Sequence, residues 1–172
     1  CTPGPVSRPR LVEAATRIKG LPADSPLVGE EWLSGPYALL NGISVLIESL
    51  RALEVGGSPV DGYRFGRAPG NRVTVRGLPR NWFDRILLSG FTAEIWMPPG
   101  VDEAAVRAEA GLAQREPTRT QGVGVVLGAG NITSIPPMDV IYEIYAHNRV
   151  VLLKLNPVTD PLFDVLTEIF AP

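Results

Sequence analysis

Cysteine and histidine are almost absent: the 172 residues contain one of each, Cys1 and His147. A single cysteine cannot close an internal disulfide, so a disulfide-stapled secreted scaffold is excluded. With so few soft and imidazole ligands there is no metal-ligand cluster, and no Ser-His-Asp set can be read. An excess of basic charge is lacking too. Lys and Arg number 16 against 18 Asp and Glu, a formal charge of −2. A nucleic-acid binder usually shows the opposite balance, and the arginines here are interspersed with acids as on a mixed, solvated surface. No apolar run reaches the length of a membrane span. No charged start with an apolar core marks a signal peptide. The expectation is a cytoplasmic protein without nucleic-acid or membrane partners. Two standard nucleotide-binding signatures are also missing. GAGN at 128–131 lacks the third glycine of G-x-G-x-x-G, and there is no Walker A motif.

What is present is enough apolar sequence for one ordinary domain. The chain opens on CTPGP rather than Met and stops at IFAP, just after an apparent helix. Only two parallel-type strands can be read, fewer than a doubly wound sheet needs to cover both faces. The expectation is the N-terminal part of a longer protein.

Residues 1–9 are Pro-rich and read as a disordered tail. Residues 10–19 form a short helix with Leu11, Ala14, Ala15 and Ile18 on one face. The clearest helix is 36–54, capped by Ser34 with Pro36 in its first turn and stopped by Gly56-Gly57. Leu39, Leu40, Ile43, Leu46, Ile47, Leu50 and Leu53 make its core stripe. A Gly/Pro/Asn-rich loop spans 58–71. Arg72–Arg76 and Phe91–Met97 read as strands, either paired antiparallel or in different sheets, with a helical turn in 79–89. Val101–Ala110 is a short helix with Asp102 and Glu103 at its start and Gly111 at its end. Residues 115–121 are a polar connector.

The segment 121–161 reads as strand, tight loop, helix, strand. Val123, Val125, Val126 and Leu127 form an apolar run, as expected of a strand buried on both faces. Gly128-Ala129-Gly130-Asn131 is the turn, and Pro136-Pro137 suits the helix start. Met138, Ile141, Tyr142 and Tyr145 continue with helical spacing, and His147-Asn148 is the exit. Val150–Lys154 is the second buried strand, and Leu162–Phe170 a further helix. The fold class is therefore α/β. N-terminal helices and a few antiparallel strands (10–114) precede the first βαβα unit of a Rossmann-like doubly wound sheet (115–172), an incomplete domain. Open α/β sheets bind nucleotides at the carboxyl edge of their strands.

Two polar residues stand at that edge. Asn131 can aim a neutral N–H donor at a developing oxyanion, or it can cap the helix or make an Asx-turn. Lys154 ends the run VVLLKL, where an ammonium can meet ribose hydroxyls or a phosphate, or snorkel into solvent. Gly128 and Gly130 allow a ligand close to the backbone. Asp139 complements the helix dipole, Glu143 is a second carboxylate of the same helix, and His147 suits a capping or surface role. Cys1, in the tail and without a neighbouring base, is discounted as a nucleophile.

The segment GVGVVLGAGN…VVLLKLNPVTDP, with REP at 115–117 before it, resembles the start of the cofactor-binding domain of the aldehyde dehydrogenase superfamily. There a strand leads to a loop ending in Asn, and a helix and a strand ending in Lys follow at this separation. The resemblance covers residues 115–170. It implies that Asn131 is the side-chain oxyanion donor and that Lys154 contacts the adenosine ribose. Leu127, Gly128, Ala129 and Gly130 would lie around the nicotinamide side, with Asn156 and Pro157 flanking the cofactor. It implies NAD or NADP as cofactor, a small-molecule aldehyde as substrate, no metal, and a homo-oligomer as the full-length protein. The implied chemistry is thiolate attack on the aldehyde followed by hydride transfer. The cysteine, the general-base Glu and a later glycine-rich cofactor loop would follow residue 172, so the chain alone is expected to be inactive. Three positions depart from the family pattern. Gly130 replaces an aromatic residue, Leu155 replaces the Pro after Lys, and Pro157 replaces an acidic residue that disfavours NADP. Two other readings stand beside this one. One is a fatty acyl-CoA reductase, a diverged branch with a GAGN-type loop. The other is a non-catalytic nucleotide-binding or assembly module.

Overall fold

A computed structural model describes residues 7–119 and 122–171. Cys1 and most of the expected tail lie outside the described residues. The chain divides into two compact units, one of residues 1–47 with 116–172 and one of residues 48–115. The N-terminal helices therefore cluster with the βαβ segment, and the antiparallel strands stand in the other unit.

In the first unit, α1 (Ser7–Ile18) begins earlier than expected, because Pro9 falls in the first turn where a missing N–H is tolerated. Its Leu11, Val12 and Ala15 are buried. Leu11 packs with Leu162, Val165, Leu166 and Ile169 of the C-terminal segment, and Ala14, Ile18 and Leu155 close around them. A 3-10 turn (Asp160–Leu162) leads into that last helix, α8 (Phe163–Ile169). Burial of such aliphatic groups stabilises by about 1.5–3 kcal/mol per side chain.

The long helix departs from expectation. It is already running at α2 (Val28–Trp32), passes through a π-helical turn (Leu33–Tyr37) and continues as α3 (Ala38–Glu54). Ser34 therefore does not cap it, and Pro36 sits inside. Proline has no N–H and its ring crowds the carbonyl four residues back. The widened turn accommodates this, and the Ala38 N–H reaches the Leu33 carbonyl, a five-residue step. Of the expected stripe, Leu39 is buried, Ile47 is exposed and the others are half-buried. Glu31 is buried and makes an ion pair with Lys19 at 2.5 Å.

In the second unit, β1 (Phe65–Ala68), β2 (Arg72–Leu78) and β3 (Ala93–Trp96) form an antiparallel sheet in that order. β1 lies in a segment expected to be a loop. Its glycine-rich sequence has no strand period, and only pairing with β2 makes it one. Between β2 and β3 comes α4 (Trp82–Leu87), capped by Asn81. α5 (Glu103–Glu109) is capped by Asp102, and Gly111, at φ +72°, turns the chain into α6 (Leu112–Arg115). The connector that follows starts with a 3-10 turn, Pro117–Arg119.

Back in the first unit, β4 (Val123–Leu127) and β5 (Val150–Lys154) pair in parallel around α7 (Ile135–Ala146). Burial on both faces is not observed. Gly124, Val126 and Gly128 are buried on the α7 side, whereas Val125 and Leu152 are 64% and 62% exposed. The one helix covers one face, and nothing among the described residues covers the other. The observed class is mixed α/β, with a three-stranded antiparallel sheet and a two-stranded parallel sheet. Among the described residues, no helix is long and apolar enough to cross a membrane.

Candidate functional site

The parallel register sets Leu127 opposite Lys154, so both strands end level. The Gly128 N–H extends the ladder by one bond, 2.8 Å to the Lys154 carbonyl. A Cβ at Gly128 would sit 3.3 Å from that carbonyl and from Pro136, so glycine lets strand and helix close on each other. Two loops leave this edge side by side. A Cβ at Gly130 would lie 2.8 Å from the Asn156 carboxamide. Asn156 Oδ1 accepts from the Val158 N–H at 3.0 Å, an Asx-turn that fixes the second loop. Buried Thr159 joins the two, its hydroxyl lying 3.3 Å from the Asn156 carbonyl and 3.4 Å from that of Ala129. Sequence reasoning missed Thr159, although its place three residues after an Asx-turn Asn was a signal for a loop staple.

Asn131 is exposed, and among the described residues its carboxamide makes no hydrogen bond. It does not cap α7, whose N-cap is Ser134. Lys154 is also exposed, with one long bond from Nζ to the Leu155 carbonyl at 3.4 Å. Being directly opposite Leu127, it shares the open face of the sheet with that side chain. Ala129 and Gly130 are half-buried, and Pro157 is exposed. Behind the Asn, buried Thr133 seats the loop on the π-helical turn, where a Cβ at Gly35 would come within 2.9 Å of its hydroxyl.

The start of α7 is not an anion cradle. A helix N-terminus binds phosphate through free N–H groups. Here Pro136 and Pro137 have none, Ile135 donates weakly to Ile132 at 3.4 Å, and the Met138 N–H is satisfied by the Ser134 carbonyl at 3.0 Å. A cofactor's phosphates would need another holder.

The remaining candidates lie at the opposite, amino edge of the strands. Glu143 Oε1 bonds His147 Nδ1 at 3.0 Å and its Oε2 bonds Arg149 at 3.1 Å. The His147 hydrogen bond, followed by Arg149, holds the Glu143 carboxyl below the usual glutamate range against the opposing effect of burial. The three side chains brace the exit of α7 into β5 and take no part in the carboxyl-edge site. Asp139 is exposed on α7. Among the described residues, no group of three metal-ligating side chains exists.

Compared with known proteins, the chain matches no family model, no curated protein and no solved structure. The site's geometry offers, at one strand edge, a carboxamide without a partner among the described residues on the first loop and an ammonium with one long backbone bond at the end of β5.

Proposed function

We propose that the carboxyl edge of β4 and β5 is the cofactor edge of an NAD(P)-dependent oxidoreductase of the aldehyde dehydrogenase type, and that this βαβ unit begins its Rossmann-like sheet. One observation carries the reading. At the same edge the Asn131 carboxamide has no partner among the described residues and the Lys154 ammonium has only one long backbone bond, while nearby Asn156 and Thr159 are taken up in loop structure. An unengaged carboxamide suits a developing oxyanion, and its N–H donors cost no reorganisation if already in place. An ammonium with N–H donors to spare suits ribose hydroxyls. These residues fit the sugar and amide parts of a nicotinamide dinucleotide, but the proline-blocked helix start does not fit its diphosphate. When bound, the cofactor would supply the hydride acceptor. The resemblance would draw the nucleophile and the base from outside these 172 residues.

A second reading is favoured by Gly130. A Cβ there would lie 2.8 Å from the Asn156 carboxamide, so the aromatic residue usual in aldehyde dehydrogenases would require that carboxamide to leave its Asx-turn. That supports the diverged acyl-CoA reductase branch, which would run from thioester to aldehyde.

Titration of NAD+ and NADP+ against the chain by tryptophan fluorescence tests the cofactor edge. Lys154→Ala should weaken binding with the fold intact, and an unmoved dissociation constant would reduce Lys154 to a surface residue. In the enzyme that contains this chain, Asn131→Ala should lower turnover by about two to three orders of magnitude with little change in cofactor affinity. Unchanged turnover would remove Asn131 from the oxyanion role. Thioester-dependent NAD(P)H oxidation, set against aldehyde-dependent NAD(P)H formation, separates the two readings.

A further inference from the structure

The second compact unit contains a cleft of about 360 Å3 lined by Arg64, Arg76, Arg80 and Arg85. The sheet register brings the first two together. Phe65 pairs with Val75, and the Arg76 N–H donates to the Arg64 carbonyl at 2.9 Å, so Arg64, just before β1, lies directly opposite Arg76 of β2. Like charges in that position repel. The other two come from the turn into α4 and from α4 itself. Buried Asp84 fixes that turn, accepting from the Arg80 N–H at 2.8 Å while its own N–H donates to Asn81 at 2.9 Å.

The local carboxylates neutralise only part of this set, although Glu48 and Asp61 line the cleft with the arginines. Asp84 is occupied by backbone. Asp61 lines the cleft, but its oxygens are engaged by the Ser58 N–H at 2.7 Å and by Arg107 at 3.0 Å. Glu48 stands 3.6 Å from Arg80, and Glu94 pairs with Arg76 at 3.3 Å. Among the described residues, no carboxylate is within ion-pair distance of Arg64 or Arg85. Arg76 and Arg80 are thus paired, and Arg64 and Arg85 leave the concave lining with an excess of positive charge in a chain of net charge −2.

Guanidinium is planar, permanently charged and matched to bidentate recognition of phosphate oxygens. A cleft of this volume is in the range of small-ligand sites. We propose that it binds the phosphate or diphosphate group of a small molecule, with Arg64 and Arg85 as the unengaged guanidiniums and Arg76 and Arg80 completing the ring of charge. An occupying anion would also relieve the Arg64–Arg76 repulsion. This site lies wholly within residues 48–115 and does not depend on the oxidoreductase reading. The phosphate could be that of a soluble metabolite or of a lipid headgroup. The second source is worth testing because Trp82, Ile86 and Leu87 of α4 are exposed beside Arg85.

Calorimetric titration of the 172-residue chain with sodium pyrophosphate tests the cleft, alongside co-sedimentation with phosphatidic acid vesicles and with phosphatidylcholine vesicles. Binding should be saturable and weaken with salt. Arg64→Gln and Arg85→Gln should each weaken it about tenfold or more, and Arg64→Lys should restore part of the loss. Arg51→Gln, on the exposed side of α3, should leave it unchanged. Arg64→Gln should also raise the melting temperature without anion and abolish the rise that pyrophosphate causes in the parent, which separates lost binding from lost fold. Pyrophosphate binding without vesicle retention assigns a soluble ligand. Retention on phosphatidic acid vesicles alone, competed by pyrophosphate and lost in Arg64→Gln, assigns a lipid. Either outcome supports the cleft. No binding of either probe by a folded chain, or equal loss in Arg51→Gln, would overturn it.

Discussion

In the antiparallel unit, Asp61 bonds Ser58 and Arg107, Arg107 also bonds Glu103, and Arg115 donates to the Gly57 carbonyl at 2.8 Å. These side chains tie loops that have little apolar surface of their own. In the parallel unit the loop staples are Thr159 and Asn156, while at the strand edge Asn131 has no partner among the described residues and Lys154 only one long bond to the Leu155 carbonyl. The contrast shows how to weigh a polar residue in either unit. A group whose hydrogen bonds close within its own loops is explained by structure. A group left open in a concave or edge position is available to a ligand. By that standard each unit offers one set, the arginine cleft in one and the Asn131–Lys154 edge in the other.

Breaking the core of the parallel unit should have the largest effect. Leu162 is 1% exposed and central to the α1–α8 cluster. Leu162→Ala should cost about 2–5 kcal/mol. If the units are separately cooperative, amide exchange will accelerate in β4 and β5 while the β2 amides keep their protection. Uniform loss of protection would mean that the two regions unfold together.

The antiparallel unit should yield less to its most sensitive polar change. Asp84→Ala leaves the Arg80 N–H without its carboxylate partner at a buried position. A loss of about 1–3 kcal/mol is expected. A thermal midpoint equal to the parent's would show that water replaces that bond.

A smaller, pH-dependent effect should mark the α7–β5 brace. The Glu143 carboxyl is lowered mainly by its His147 hydrogen bond. Its contribution is therefore present above the ordinary glutamate range, about pH 4.3, and is lost as pH falls through the lowered folded value. Glu143→Gln should flatten the acid side of the stability profile and leave the neutral-to-alkaline side parallel to that of the parent. An acid limb as steep as the parent's would assign the effect to other carboxylates.

The smallest stability change should come from the open face of the parallel sheet. Val125→Thr with Leu152→Thr exchanges exposed side chains, so stability should shift by no more than about 0.5 kcal/mol per site. Self-association of the isolated chain should nevertheless fall, because contiguous exposed apolar strands promote it. Unchanged sedimentation would show that this face is not adhesive.

Much of this could be read in the residues themselves. The stripe of Leu11, Ala14, Ala15 and Ile18 specified a helix face. Asp102 and Gly111 marked the ends of α5, and the apolar runs flanking GAGN specified two strands and a crossover helix. Those signals are local: they depend on side-chain period, caps and backbone freedom within a few residues. Other features needed the third dimension. β1 exists only because β2 pairs with it, since Phe65–Ala68 has no period of its own. Pro36 marks a helix start in isolation, yet it sits within a longer helix whose π-turn absorbs it. The apolar run of β4 could not reveal that only one of its faces is covered. Asn131 and Lys154 were legible as candidates, but whether they cap, pair or stand open depends on neighbours distant in sequence. The arginine cleft was invisible for the same reason. Its four charges, spread over 22 positions from Arg64 to Arg85, meet only when strand register and the Asp84-fixed turn bring them to one wall.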